Sequence, residues 1–467
     1  MTEPTLVQQL AAFAVANDHS RLPDDVIASV RQRILDILGI CLAASTLESS
    51  RAVLGYVADQ AGAEQAHVVT LPRRVPAAQA AFANGVLAHS LDYDDTHLPS
   101  ILHPSAPVVP AVLAAAESAG ASGREVIAAT AVGLEVCVRL GMAGYDRAAG
   151  TSLFFERGQH ATSICGAVAG AAAAALLLSG TEAAVADAMG IAASMASGVI
   201  EANRTGGTVK RLHAGFAARA AVTAAELTGR GVTGPPTVLE GRFGFFQAFI
   251  GERFHAEEIS DGLGTDWAVP GIFFKPYPAN HFTHTTIDAA LRLRERGLSP
   301  EDVAHVDVGV AAPTVRTVGE PLDVKRTPET GYQAQFSAPY AFAAALLGGG
   351  GLGLGLDDFS DELARAPERR ALMALVDVHA DDRCTAIYPH QFPAVVRVRT
   401  ASGDELVEEV LTNRGGPQRP LSDDELATKF RDNAARILSV AAADAVSSSV
   451  AALDSAPGVD AILAALS

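Results

Sequence analysis

A chain of 467 residues is longer than a single hydrophobic core usually grows, so two domains are expected. With 49% apolar and only 19% charged residues it is not a disordered chain, and its abundant alanine and sparse aromatics favour closely packed helices. A net charge of −18 argues against nucleic acid and anionic membranes as partners, and requires any cations that hold an anionic ligand to be gathered locally.

The opening Met-Thr-Glu-Pro-Thr lacks the basic and apolar regions of a signal peptide. Residues 5–60 read as helices. Leu6, Leu10, Phe13 and Ala14 form one apolar face, Pro23-Asp24-Asp25 opens a second helix, and Ile27, Val30, Ile34, Leu35 and Leu38 follow at helical spacing. Residues 76–88 are again helical and lead into a polar stretch over 92–103. A helix over 107–119 would keep Pro110 within its first turn, where a missing N–H is tolerated. Further small-residue helices are predicted over 125–140, 160–178, 183–195 and 213–227. The uncharged run 161–179 is long enough to span a membrane, but its Ala and Gly content reads as a buried helix of a soluble protein.

Beyond about residue 270 the period changes. Residues 305–311, 376–378 and 395–398 alternate like strands, and Ser402-Gly403-Asp404 turns the last of these into a hairpin with 405–411. Helices are expected at 285–296 and 337–347. The glycine run 348–351 lacks the Lys-Ser/Thr of a phosphate loop and reads as a surface loop. From Ser422 the chain returns to helix behind a Ser-Asp-Asp cap. The predicted fold is mainly α: a large, discontinuous all-helical domain (1–266 and 410–467) with a smaller α/β (α+β) domain (267–409) inserted.

Cys41, Cys137, Cys165 and Cys384 lie far apart, with no CxxC and no Cys/His ligand spacing. They suit reduced, buried thiols in a cytoplasmic protein and give no sign of zinc or an iron–sulfur cluster.

Chemistry concentrates in three segments. The first runs from Asn84-Gly85 through Ala88-His89-Ser90-Leu91-Asp92-Tyr93-Asp94-Asp95-Thr96-His97 to His103-Pro104-Ser105. Its carboxylates and imidazoles suit a metal site or an acid–base site, and helix caps with a solvated acidic turn are the plainer alternative. In the second, Gly206-Gly207-Thr208-Val209-Lys210-Arg211-Leu212-His213, freed backbone and paired cations precede a helix, which suits carboxylate binding or an exposed basic loop. In the third, Lys275-Pro276-Tyr277-Pro278 is followed by His281, His284 and Asp288. The prolines fix the backbone that carries Lys275, and the two histidines share a helix face without an HExxH pattern.

These strings resemble the MmgE/PrpD family. The likeness extends through Ala214-Gly215, Pro235-Pro236-Thr237-Val238-Leu239-Glu240-Gly241, Phe336-Ser337 and Tyr340, in order, from near the N-terminus to about residue 400. The resemblance implies an all-helical domain discontinuous in sequence, a smaller α/β domain and a homodimer. It further implies cofactor-independent chemistry on a small di- or tricarboxylate, as in 2-methylcitrate dehydratases, cis-aconitate decarboxylases and iminodisuccinate epimerases. It carries active-site roles to Asp92, Thr96, His103, His160, Lys210, Lys275 and Tyr340, with Arg211 and His284 as further substrate-binding candidates. In such a site Lys210 and Lys275 would clamp developing charge and His103 would move the proton. Asp92 would orient an imidazole, and Tyr340 or His160 would protonate a leaving group.

Elimination in the manner of 2-methylcitrate dehydratase is the expected reaction, with decarboxylation or epimerisation as alternatives. The Thr96-to-His103 spacing is one residue longer than in the cis-aconitate decarboxylases, and His97 stands where Trp is common; both point away from cis-aconitate. Outside the family, the competing readings are a metal-dependent hydrolase on Asp92, Asp94, Asp95, His97 and His103, and a non-catalytic binding protein.

Overall fold

Helices lined with alanine and glycine approach each other more closely than helices lined with leucine, and this sets the architecture of the first part of the chain. A computed structural model describes residues 3–60, 62–202, 207–251 and 253–467. It divides into two compact units, residues 1–272 with 433–467, and residues 273–432.

In the first unit the helix Ala161–Leu178 is central and buried along most of its length. It packs against Ser105–Ala119, Gly123–Ala143, Glu182–Met195 and His213–Thr228. The two helices long and apolar enough to cross a membrane, Gly123–Ala143 and Ala161–Leu178, are thus mostly covered by protein. Their ends are set by local chemistry. Ser122 and Glu125 form a capping box ahead of Gly123–Ala143, as Thr5 and Gln8 do ahead of Leu6–Ala16. The helix expected from residue 107 instead begins at Ser105, so Pro110 lies beyond the first turn. Asp95, from the preceding loop, accepts from the Ser105 amide at 3.1 Å and starts the helix two residues earlier than the prolines suggest.

The C-terminal return is covalently distant but well fastened. The Gly123 amide donates to the Ala456 carbonyl (3.0 Å), the Thr70 amide donates to Leu466 (2.7 Å), and Val440–Ala451 packs against Asp24–Ala44.

The second unit holds a four-stranded sheet in the order Val376–Ala380, Val303–Val310, Ala394–Thr400, Glu405–Val410. The first pair is parallel and the others antiparallel. Val306, Val308, Val310, Val396 and Val398 enter one apolar core with Ile287 and Leu293 of His284–Glu295 and Phe342 of Ala338–Leu347. This unit also takes in residues 410–432, which the sequence assigned to the helical body. Leu421 and Leu426 pack with Phe274, and Arg414 bonds to the Tyr277 hydroxyl (3.2 Å) and to Glu425. The expected serine cap is present: the Glu425 amide donates to the Ser422 hydroxyl at 3.2 Å.

Candidate active site

Helices Ala77–His89 and His213–Thr228 cross where Gly85 meets Gly215. A methyl group on Gly85 would lie 2.8 Å from the Gly215 Cα, and one on Gly215 would lie 2.5 Å from the Phe82 carbonyl oxygen. Only glycine permits this approach. The crossing matters because His89 ends the first helix and His213 begins the second. Next to them, His160 is the N-cap residue of Ala161–Leu178. Its amide donates to the Gly198 carbonyl (3.0 Å), and Gly198, at φ 152°, lies against the His160 Cβ.

The polar segment between Asp92 and Pro104 is held by a buried ion pair. Arg33, 1% exposed, donates to Asp95 at 2.7 Å and to the carbonyls of Val269 (3.3 Å) and Ile272 (2.6 Å). Asp95 also accepts from the Ser105 hydroxyl. Asp92 adopts left-handed backbone at φ 52°, which aspartate tolerates. So does Ile101 at φ 53°, where a β-branched side chain is strained. This tight turn closes with the His97 amide on the Leu102 carbonyl (2.9 Å) and delivers His103 immediately after.

The acidic run therefore separates rather than converging. Asp95 anchors Arg33, and His97 pairs with the Ser100 hydroxyl (2.7 Å) and lines a cavity with Glu135 and Arg139. Among the described residues, no three His, Cys, Asp or Glu side chains gather as metal donors.

What does gather is a row of imidazoles. Ring centroids lie 5.3 Å apart for His103 and His89, 5.3 Å for His89 and His160, and 5.1 Å for His160 and His213. His103 donates from Nδ1 to the Asp95 carbonyl (2.6 Å), with the Thr96 hydroxyl at 3.3 Å, and its amide donates to Thr162. That bond fixes the tautomer, because a carbonyl oxygen can only accept and Nδ1 must carry the proton. His89 donates from Nδ1 to the Asp94 carboxylate at 2.7 Å, a fully buried pair. The Nδ1 atoms of His160 and His213 lie 3.0 Å apart.

Burial, and then the neighbouring His89 and Lys210, push the His160 pKa well below the usual histidine value. The same causes bring His213 down to about 4. Both rings are neutral near pH 7.

Of the residues named from sequence, Asp92, Thr96, His103, His160, Lys210 and Arg211 belong to the first unit. Thr96, His103, His160 and Lys210 fall in or beside the imidazole row. Lys210 and Arg211 share the single turn Val209–Leu212, where Arg211 bonds to the Ser49 hydroxyl (2.9 Å). Asp92 is buried in the loop. Gly206 of the same motif lies outside the described residues.

Lys275, His284 and Tyr340 belong to the second unit. Lys275 is 1% exposed. His284 donates from Nε2 to the Ala279 carbonyl (3.0 Å) and packs edge-on against Tyr277. Tyr340 is fully buried, its hydroxyl bonded to the Asp358 carbonyl and to Arg369 (2.6 Å), and burial raises its pKa to about 12. These bonds engage the Tyr340 hydroxyl within the core of its own unit.

His89 and His213 stood in the sequence motifs without a site role of their own, and Asp94 was named there only as a ligand in the metal-hydrolase reading. A usable signal existed for one of them, because His213 follows Lys210 by one helical step. His89 meets Asp94 only across a helix end, which periodicity does not reveal.

The MmgE/PrpD N-terminal domain matches residues 8–257 and the MmgE/PrpD C-terminal domain matches residues 277–455. The chain is 31% identical to the cis-aconitate decarboxylase of Homo sapiens, covering 90% of this chain and 85% of that protein. It is 30% identical to the Mus musculus cis-aconitate decarboxylase, over 90% of this chain and 84% of the relative. A cis-aconitate decarboxylase-like protein of Aspergillus oryzae is 27% identical over 100% of this chain and 98% of its own length. The chain belongs to the MmgE/PrpD family of enzymes.

Proposed function

We propose that this enzyme is a cofactor-independent lyase that removes carbon dioxide from a small unsaturated tricarboxylate, with cis-aconitate as the first candidate. The sequence placed elimination of water first. The named relatives, all cis-aconitate decarboxylases or like them, support decarboxylation instead. The observation that carries the reading is the row of imidazoles beside Lys210, a proton-handling site with a local cation in a chain of strongly negative charge.

In the reaction, the bond from a saturated carbon to its carboxylate breaks and carbon dioxide leaves. The electron pair moves into the adjacent carbon–carbon double bond, which shifts, and the far carbon takes a proton. In this reading His103 delivers that proton from Nε2, while the bond from Nδ1 to the Asp95 carbonyl holds the ring. His160 donates to a substrate carboxylate. Lys210 offsets the charge that spreads onto the remaining carboxylates.

Two features read from the sequence favour a second reading, the longer spacing from Thr96 to His103 and His97 at a position where the family resemblance leads one to expect Trp, and they keep dehydration of 2-methylcitrate as the alternative. Incubation with cis-aconitate, 2-methylcitrate, citrate and iminodisuccinate, followed by proton NMR, separates the two. Loss of carbon dioxide from cis-aconitate supports the proposal, and dehydration of 2-methylcitrate alone overturns it.

A further inference from the structure

His160 and His213 present their Nδ1 atoms to each other at 3.0 Å, and both side chains are buried. Each ring sits at the N-terminus of a long helix, where positive potential opposes a charged imidazole. The charged and titratable groups bearing on His160 are His89, with Asp94 behind it, then Lys210, His213 and His103; His89 and Lys210 bear on His213. Two neutral rings in this contact share one proton. Whichever ring carries it on Nδ1, the other must carry its own proton on Nε2.

The two arrangements differ in what His160 offers from Nε2. A proton on His160 Nδ1 leaves a lone pair on Nε2, which repels a carboxylate. A proton on His213 Nδ1 leaves His160 with Nε2–H, a donor that attracts one, in the same region as Lys210.

We propose that His213 is a positioning residue: it donates the shared proton from its Nδ1 and so holds His160 as the Nε2–H tautomer, a hydrogen-bond donor to a substrate carboxylate. The inference rests on the anionic substrate of the proposed function. The fold supports the contact on both sides, because the His213 carbonyl accepts from the Ser163 hydroxyl (3.0 Å) and Gly198 closes against both residues.

The tautomer is read directly in the full-length protein without substrate, by ¹⁵N–¹H correlation NMR of the imidazole nitrogens. The expected result is a protonated Nε2 and bare Nδ1 on His160, with the reverse on His213. A protonated Nδ1 on His160 overturns the inference whatever the substrate proves to be.

Kinetics supply the second arm, using a substrate the wild type turns over. His213→Asn places an amide near the Nδ1 position and should keep kcat/KM within roughly 5-fold. His213→Phe should lower kcat/KM by roughly 10²-fold, with KM raised, because the donor it orients holds a carboxylate of the bound substrate. Equal kcat/KM in the two variants at equal folded fraction, judged by melting, overturns the positioning role. Failure of all four panel substrates removes the proposed function but leaves the NMR result to decide the tautomer.

Discussion

At the scale of single residues, the proton carrier and the charge clamp make different kinetic forecasts. His103 is held through Nδ1 by a backbone carbonyl and is only partly buried, so replacing its ring should not disturb the core. His103→Gln should lower kcat by roughly 10²–10⁴ while substrate still binds. Lys275→Met keeps an unbranched chain in a buried position and should lower kcat/KM by roughly 10²–10³ if the ammonium holds a carboxylate. Measuring turnover and Tm on the same samples separates these effects from loss of fold; near-wild-type turnover in both variants contradicts the assignments.

The two neutral imidazoles predict a pH dependence of stability whose sign is fixed. Their native pKa values are depressed, His213 to about 4, so between the unfolded histidine value and the native one the unfolded chain binds more protons. Stability should therefore fall as pH drops below about 6.5, by about 1.4 kcal/mol per pH unit for each such proton. Urea unfolding of wild type and His213→Asn between pH 7 and pH 5 checks this. The variant should show the shallower slope, and parallel slopes contradict it.

At the scale of elements, the site is built by a helix crossing with no space to spare. Gly215→Ala would press a methyl into the Phe82 carbonyl and the Val86 side chain, each 2.5 Å away. It should cost about 1–3 kcal/mol by overpacking and should lower turnover by displacing His89 from His213. Chemical denaturation measures the first and steady-state assays the second; an unchanged melt would contradict the crossing.

Periodicity located most helices and the hairpin, because their apolar faces recur at fixed spacing. The strands at 303–310 and 394–400 alternate valine just as a half-buried sheet requires. The carboxylates were harder to read. From sequence, Asp92, Asp94 and Asp95 are one acidic run, yet Asp94 serves His89, Asp95 serves Arg33, and Asp92 sits on left-handed backbone. Which neighbour each carboxylate meets depends on chain segments 62 residues away in the case of Arg33, and no local pattern encodes that contact. The start of Ser105–Ala119 eluded prediction for the same reason, since its capping carboxylate comes from Asp95 in the loop before it.

At the scale of the whole molecule, the net charge of −18 sets the terms for an anionic substrate. Attraction must come from a few placed cations rather than from the general field, which is consistent with Lys210 standing beside neutral rather than charged histidines. The family resemblance left loss of water, loss of carbon dioxide and proton exchange as expectations, so the reaction itself is the central question. Proton NMR of the enzyme with cis-aconitate in heavy water tests it most directly. The prediction is release of carbon dioxide with one solvent deuteron placed on carbon for each molecule converted. Cis-aconitate left intact by folded enzyme that dehydrates 2-methylcitrate, or by enzyme inert to the whole panel, would contradict it.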